Sequence, residues 1–387
     1  MFYAAELTPA EITLHPTQAE YLPEGRHWQG IASLDRTGKG RLFSVFYSGG
    51  NTEENGNYIV LAVSDDDGRT WMDPWLVIRH PDPQMRVFDC NVWLDPNGRM
   101  WITWAQSHGF FDGRDGVWAA VIPHPDDTEF AVEPPRRIAN GVMMCKPTVL
   151  SSGEWLFPCA VWACMRPLED HPEVAGERFS NVYVSRDQGL SFSWLGGADV
   201  KNRSFDEHMV VERRDGSLWM LVRRYDGVGQ AFSRDGGRTW RQEGHSGIPN
   251  PDTRIFIRRL PSGNLLLVNH VDFHGRNNLC ARLSFDDGRT WTGGLMLDER
   301  SDVSYPDGAA DENGRIFIAY DFERYQSRQI LFAVFTEADI LAGKPVSPHC
   351  RLRCLISRAT GPFPVTVHEV NSDRGRAPVP PASPPAP

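Results

Sequence analysis

Six times along the chain a polar turn containing glycine gives way to an apolar run. Gly38 to Gly40 precede residues 42–47, Gly98 precedes 100–104, Gly153 precedes 155–159, Gly216 precedes 218–222, Gly263 precedes 265–268 and Gly314 precedes 316–320. Runs this short, rich in β-branched and aromatic residues and bounded by turn residues, read as strands. The glycines recur about every 50 to 60 residues, which suits one four-stranded propeller blade. Helical periodicity is nearly absent, with residues 337–341 the one short candidate. The pattern predicts an all-β six-bladed β-propeller over residues 26–370. An entry strand or arm (1–25) precedes it, and a Pro-rich tail (371–387), expected to be disordered, follows it.

A second repeat sharpens this reading. Ser64 to Trp71, Ser233 to Trp240 and Ser284 to Trp291 spell one turn, with a degraded copy from Ser185 to Phe192. Each reads as a strand end, an Asp folding back on its own turn, a Gly supplying positive φ and an aromatic that anchors the next strand. These Asp-boxes are hairpin staples, and their residues serve the fold rather than the chemistry.

Blade topology turns spacing into geometry. In an up-and-down blade, residues a fixed distance before each turn glycine open the innermost strand at one mouth of the channel. Nine positions before Gly38, Gly98, Gly153, Gly216, Gly263 and Gly314 stand Gln29, Asp89, Met144, Glu207, Arg254 and Tyr305. Five of the six are polar or ionisable where a core would want apolar groups, and propeller mouths bind ligands. Loops after each second strand reach the same face and carry Glu53 and Glu54, His108, Arg223 and Arg224, Arg276, Glu323, Arg324 and Arg328. Arginines gathered at one mouth of an acidic protein point to a bound carboxylate, which the guanidinium fork suits. Trp28 and the pair Phe110 and Phe111 stand where a sugar ring could stack.

Composition narrows the partners. With 387 residues and 13 Trp the chain can bury a large core, and its net charge of -10 without a basic run argues against nucleic acid and anionic membranes. No stretch reaches 18 apolar residues and the start lacks a signal-like h-region, so a cytoplasmic protein is expected. The 7 Cys are odd in number and scattered, and read as small buried hydrophobes. No zinc spacing is present, and neither a cofactor nor a metal is indicated.

The Asp-boxes and the mouth residues together resemble the sialidase (neuraminidase) superfamily over about residues 26 to 340. The resemblance implies a glycoside hydrolase acting on a terminal sugar that carries an acidic group. In it Tyr305 takes the place of the nucleophilic tyrosine, and Glu207 that of the glutamate partnering it. Arg223 or Arg224, together with Arg276, supply members of an arginine triad, and Arg254 is a further candidate for holding the acidic group. Two departures stand out. Where the family opens its first blade with an arginine this chain has Gln29, with Arg26 nearby, and where the family keeps an acid/base aspartate it offers Glu53 or Glu54. A tyrosine nucleophile has a physical reason: a carboxylate on the anomeric carbon repels an approaching carboxylate but not a neutral phenol. Asp89 and His108 are further candidates for holding the sugar. Two other readings stay open. One is a uronate-directed lyase or rhamnosyl-uronate cleaving propeller using His27, His108, His208, His270 or His274; the other is a non-catalytic glycan-binding propeller.

Overall fold

The computed structural model describes residues 7–165 and 171–362. The expected tail from residue 371, and the last residues assigned to the propeller, lie outside them. Six antiparallel sheets each take consecutive strands from one stretch of chain. Blade one runs β2 (Gln29–Arg36), β3 (Leu42–Ser48), β4 (Tyr58–Ser64) and β5 (Met72–Arg79), and β1 (Glu11–Leu14) adds a fifth strand at its outer edge. The residues expected as an arm thus include a strand of that blade. Blade two is β6 (Met85–Leu94), β7 (Met100–His108), β8 (Gly116–Ile122) and β9 (Arg136–Asn140). Blade three is β10 (Thr148–Val149), β11 (Trp155–Ala160), β12 (Ser180–Ser185) and β13 (Ser193–Ala198). Blade four is β14 (Met209–Glu212), β15 (Leu218–Arg224), β16 (Gly227–Ser233) and β17 (Arg241–His245). Blade five is β18 (Phe256–Arg259), β19 (Leu265–His270), β20 (Leu279–Ser284) and β21 (Thr292–Asp298). Blade six is β22 (Val303–Ala310), β23 (Arg315–Phe322), β24 (Gln329–Thr336) and β25 (Arg351–Arg358), with the short helix α1 (Glu337–Ala342) before its last strand.

Each Asp-box joins the third and fourth strands of blades one, three, four and five. In the first, Asp66 accepts the Thr70 N–H at 2.9 Å and its hydroxyl at 2.7 Å, while Ser64 Oγ accepts the Gly68 N–H at 2.9 Å. Those bonds from Thr70 hold the Asp66 carboxyl down at about 2. The glycine has a second use. A Cβ on Gly68 would lie 2.3 Å from Phe332 of blade six, and one on Gly288 would lie 2.3 Å from Trp219 of blade four. Both have positive φ. The bare backbone therefore lets each hairpin seat on an aromatic of the preceding blade, as Gly189 does on Trp101.

Blade one meets blade six without exchanging a strand, so polar groups close the ring. Ile31 N–H donates to Asp321 Oδ2 at 2.8 Å, and Ser33 Oγ–H and Leu34 N–H donate to Asp307 Oδ2 at 2.6 and 3.2 Å. On the channel axis the buried Lys146 of blade three lies 3.1 Å from Asp307 and 3.3 Å from Asp35, and also donates to the Val92 carbonyl. One cation thus ties blades one, two, three and six. Aromatics fill the spaces between blades, as where Trp93, Trp101, Trp155 and Phe157 interlock. All seven cysteines are free thiols. Among the described residues no helix is long and apolar enough to cross a membrane, and no cluster of three or more His, Cys, Asp or Glu side chains could hold a metal ion.

Candidate functional site

A cavity of about 610 Å³ opens at the mouth where the innermost strands begin, within the usual range for a small-molecule site. A backbone irregularity builds much of its wall. The pairing of inner and second strands slips between Gly30 and Ser33, between Phe88 and Asn91, and between Ser304 and Asp307. Inside these bulges Ile31, Asp89 and Tyr305 have φ of 57°, 47° and 57°. A bulge re-aims a side chain, and all three line the cavity with Met144 and Glu207.

The count from the turn glycines needs one correction. In blade one the left-handed turn residue is Gly40, with φ of 112°, rather than Gly38. Nine positions before Gly40 stands Ile31, the true counterpart of Asp89 and Tyr305. Gln29 is instead fully buried, donating to the Arg328 carbonyl at 2.9 Å and accepting from Arg26 Nη1 at 3.0 Å. Arg26 in turn pairs with Asp73 at 2.5 Å. Both residues staple blade one to blade six, and neither lines the cavity.

Tyr305, Glu207 and Arg223 meet at the cavity floor. The Tyr305 hydroxyl lies 3.1 Å from Glu207 Oε1, and Arg223 Nη1 donates to that oxygen at 2.5 Å and to Tyr305 Oη at 3.0 Å. Glu207 Oε2 has no partner among the described residues. Glu207 is aimed by its neighbour Asp206, which pairs with Arg203 at 2.7 Å and accepts from Ser180 Oγ at 2.8 Å. Burial raises the Glu207 carboxyl against the pull of Arg223. Burial, then the Glu207 charge, push the Tyr305 phenol up to about 12, opposed by Arg223, Arg276 and Arg324. The phenol is therefore neutral in the resting site, with a base 3.1 Å away.

Guanidinium groups surround this pair. Arg324 and Arg276 lie 4.6 and 5.3 Å from the Tyr305 ring centre, and both line the cavity with Arg223 and Arg86. Arg276 is held by the Asp252 carbonyl at 2.8 Å. Asp89 makes no hydrogen bond or ion pair among the described residues, and burial, reinforced by the Glu53 charge, pushes it up to about 8. At neutral pH it carries its proton and offers the cavity an O–H donor.

The remaining expected site residues separate by side-chain direction. Glu53 lines the cavity, while Glu54 turns back into its own loop to accept the Asn51 N–H at 2.6 Å. Arg223 and Arg224 are successive on β15 and face opposite ways; Arg224 forms a two-bond pair with Asp226 at 2.7 Å. Arg254 lies beneath the floor, donating to the carbonyls of Met144, Ala32 and Tyr305 at 2.6 to 2.9 Å; it ties three blades together and does not line the cavity. His108 ends β7 outside the cavity, its N–H given to Asp112 at 2.7 Å. His27, His208, His270 and His274 do not line the cavity either. Trp28 is core and Phe111 packs beside Trp162, so the aromatic lining comes from Phe110, Trp162, Phe205 and Tyr325. Ile31, Arg86, Trp162, Phe205 and Asp302 also line the cavity, and of these only Ile31 carries a sequence signal, the count from Gly40. The sequence puts Arg324 in a mouth loop but gives it no role.

Residues 76–318 match the family described as BNR repeat-like domain. Among solved structures, the Hadza microbial sialidase Hz136 superposes with a TM-score of 0.63 at 20% identity, covering 81% of this chain and 66% of that one. The leech intramolecular trans-sialidase complexed with 2,7-anhydro-Neu5Ac gives 0.63 at 13% identity, covering 85% and 71%. The intramolecular trans-sialidase from Ruminococcus gnavus, in complex with oseltamivir carboxylate, gives 0.64 at 12% identity, covering 86% and 98%. The chain thus spans just under two thirds of the length of Hz136 and nearly all of the R. gnavus structure. At these identities the likeness is one of fold. No curated protein matches the chain.

Proposed function

The chain belongs to the BNR repeat-like domain family, and from that footing we propose that it is a retaining exo-glycosidase for a terminal sugar bearing a carboxylate. The observation that carries the reading is Tyr305 Oη 3.1 Å from Glu207 Oε1 in a cavity that also presents Arg223, Arg276 and Arg324. In this reading Glu207 takes the phenol proton as Tyr305 Oη bonds to the anomeric carbon and the glycosidic C–O bond breaks. Glu53 gives its proton to the departing oxygen, then removes one from the water that releases the sugar from Tyr305. The phenol tolerates an anionic anomeric substituent where a carboxylate nucleophile would be repelled. Arg276 and Arg324 hold the substrate's acidic group and Asp89 donates a hydrogen bond to a sugar hydroxyl. That the solved neighbours are named as sialidases and trans-sialidases supports this choice of substrate class. None of the described histidines lines the cavity, which disfavours the histidine-dependent lyase reading.

A panel of aryl glycosides tests it. Release of aryl alcohol is expected from glycosides of carboxylate-bearing sugars, with the first-formed sugar retaining its anomeric configuration, and none from neutral hexosides. Only ionised Glu207 accepts a proton, and burial raises its carboxyl. The acid limb of the rate profile should therefore fall above the ordinary carboxylate range. Inversion at the anomeric carbon, or turnover of neutral sugars alone, would reject the assignment.

A further inference from the structure

Arg324 is mounted in an uncommon way. It enters from the loop after β23 and lies across β2 of blade one, where a Cβ on Gly30 would stand 2.3 Å from its Cδ. Glycine at that position clears the path. The guanidinium is held at two ends of different firmness. Nε pairs at 2.9 Å with Asp321, which is fully buried and fixed by the Ile31 N–H at 2.8 Å and the Ser304 hydroxyl at 2.7 Å. Nη1 meets Glu53 at 3.0 Å, on the loop between β3 and β4, where the carboxylate keeps 24% of its surface open. Nη2 faces Ser304 Oγ at 3.2 Å.

Charge balance decides what an anion would do here. Among the described residues the cavity wall carries four guanidinium groups, Arg86, Arg223, Arg276 and Arg324. Facing them on the wall are the acidic side chains Glu53, Glu207, Asp302 and Glu323, with Asp321 on Arg324 Nε and Asp252 on Arg223 Nε, while burial holds Asp89 up at about 8. An entering carboxylate adds one negative charge to this wall, and at Arg324 Nη1 it competes with Glu53, a partner less deeply buried than Asp321 on Nε. A carboxylate that loses its cation and gains an anionic neighbour takes up a proton more readily.

Resting on the acidic-sugar reading of this site, we propose that Arg324 is the anion receptor supplied from blade six, and that a substrate carboxylate displaces Glu53 from it. Glu53 then accepts a proton from solvent. Binding the correct sugar is what loads the general acid, and a neutral sugar leaves Glu53 on Arg324.

Calorimetric titration of the full chain with sialic acid and with glucuronic acid, at one near-neutral pH in two buffers of different ionisation enthalpy, measures the proton directly. The expected result is uptake of close to one proton for each acid bound. Glu53→Gln should bind at least as tightly with the uptake gone. Arg324→Met should lose at least about tenfold in affinity, the scale of one charge-assisted hydrogen bond. Glu207→Gln should keep the uptake, because Glu207 keeps Arg223. Binding by the wild type with no proton exchange, or uptake persisting in Glu53→Gln, overturns the proposal while leaving the acidic-sugar reading in place. Failure of the wild type to bind either acid overturns that reading and the proposal with it.

Discussion

Replacing Tyr305 by Phe should reduce turnover of an acidic-sugar aryl glycoside by roughly a thousandfold or more, with little change in unfolding temperature. In the proposed mechanism the phenol oxygen both bonds the anomeric carbon and passes its proton to Glu207, 3.1 Å away. Without it the two-step displacement has no first step. Phenylalanine keeps the ring that Arg324 and Arg276 face at 4.6 and 5.3 Å, so the cavity wall survives. The lost hydroxyl leaves Arg223 still bonded to Glu207 and Asp252, so no buried charge is stranded. Substrate affinity should hardly move, which separates loss of the nucleophile from loss of the site. Glu207→Gln should also lower turnover steeply, and the double variant should be little worse than the worse single, as expected of groups acting as a unit. Full activity in Tyr305→Phe would rule out the phenol as nucleophile.

The largest expected effect on stability is at Lys146. Its ammonium is buried on the channel axis between Asp307 and Asp35, at 3.1 and 3.3 Å. Lys146→Met fills similar space but leaves the Asp307 and Asp35 carboxylates without their shared cation. Removing one partner of a buried ionic cluster costs roughly 3–5 kcal/mol, because the remaining charge is neither solvated nor paired. Denaturant unfolding should show this as a lowered midpoint with an unchanged slope. Adding Asp307→Asn to Lys146→Met should recover part of the loss, since it removes one stranded charge and keeps acceptor capacity for the Ser33 and Leu34 donors. If the single variant were as stable as the parent, the ring would not depend on this polar clasp.

The fold was legible because propeller blades repeat local signals. Turn glycines set the spacing, and the Asp-box bonds lie within seven residues of each other, so sequence distance stands in for spatial distance. The inner strand starts were also legible: counting back from each glycine reaches Asp89, Met144, Glu207 and Tyr305, all of which line the cavity. Blade one misled because its turn holds both Gly38 and Gly40, and only the backbone shows that Gly40 takes the left-handed conformation. Side-chain direction was the other hidden quantity. Arg254 opens its strand as Tyr305 does, yet bends under the floor to join three carbonyls from different blades. Arg324 owes its place to the meeting of blade six with blade one, and no spacing within either blade encodes that contact.

The most direct measurement is mass spectrometry of the chain after incubation with an acidic-sugar glycosyl fluoride carrying a second fluorine beside the anomeric carbon. That fluorine slows the oxocarbenium-like steps, and the fluoride leaving group speeds the first relative to the second, so a glycosyl-enzyme should accumulate. The account predicts one sugar added, borne by the peptide containing Tyr305 and absent from Tyr305→Phe. An adduct on Glu207 or Glu53 instead, or fluoride release without any adduct and with inversion, would contradict it.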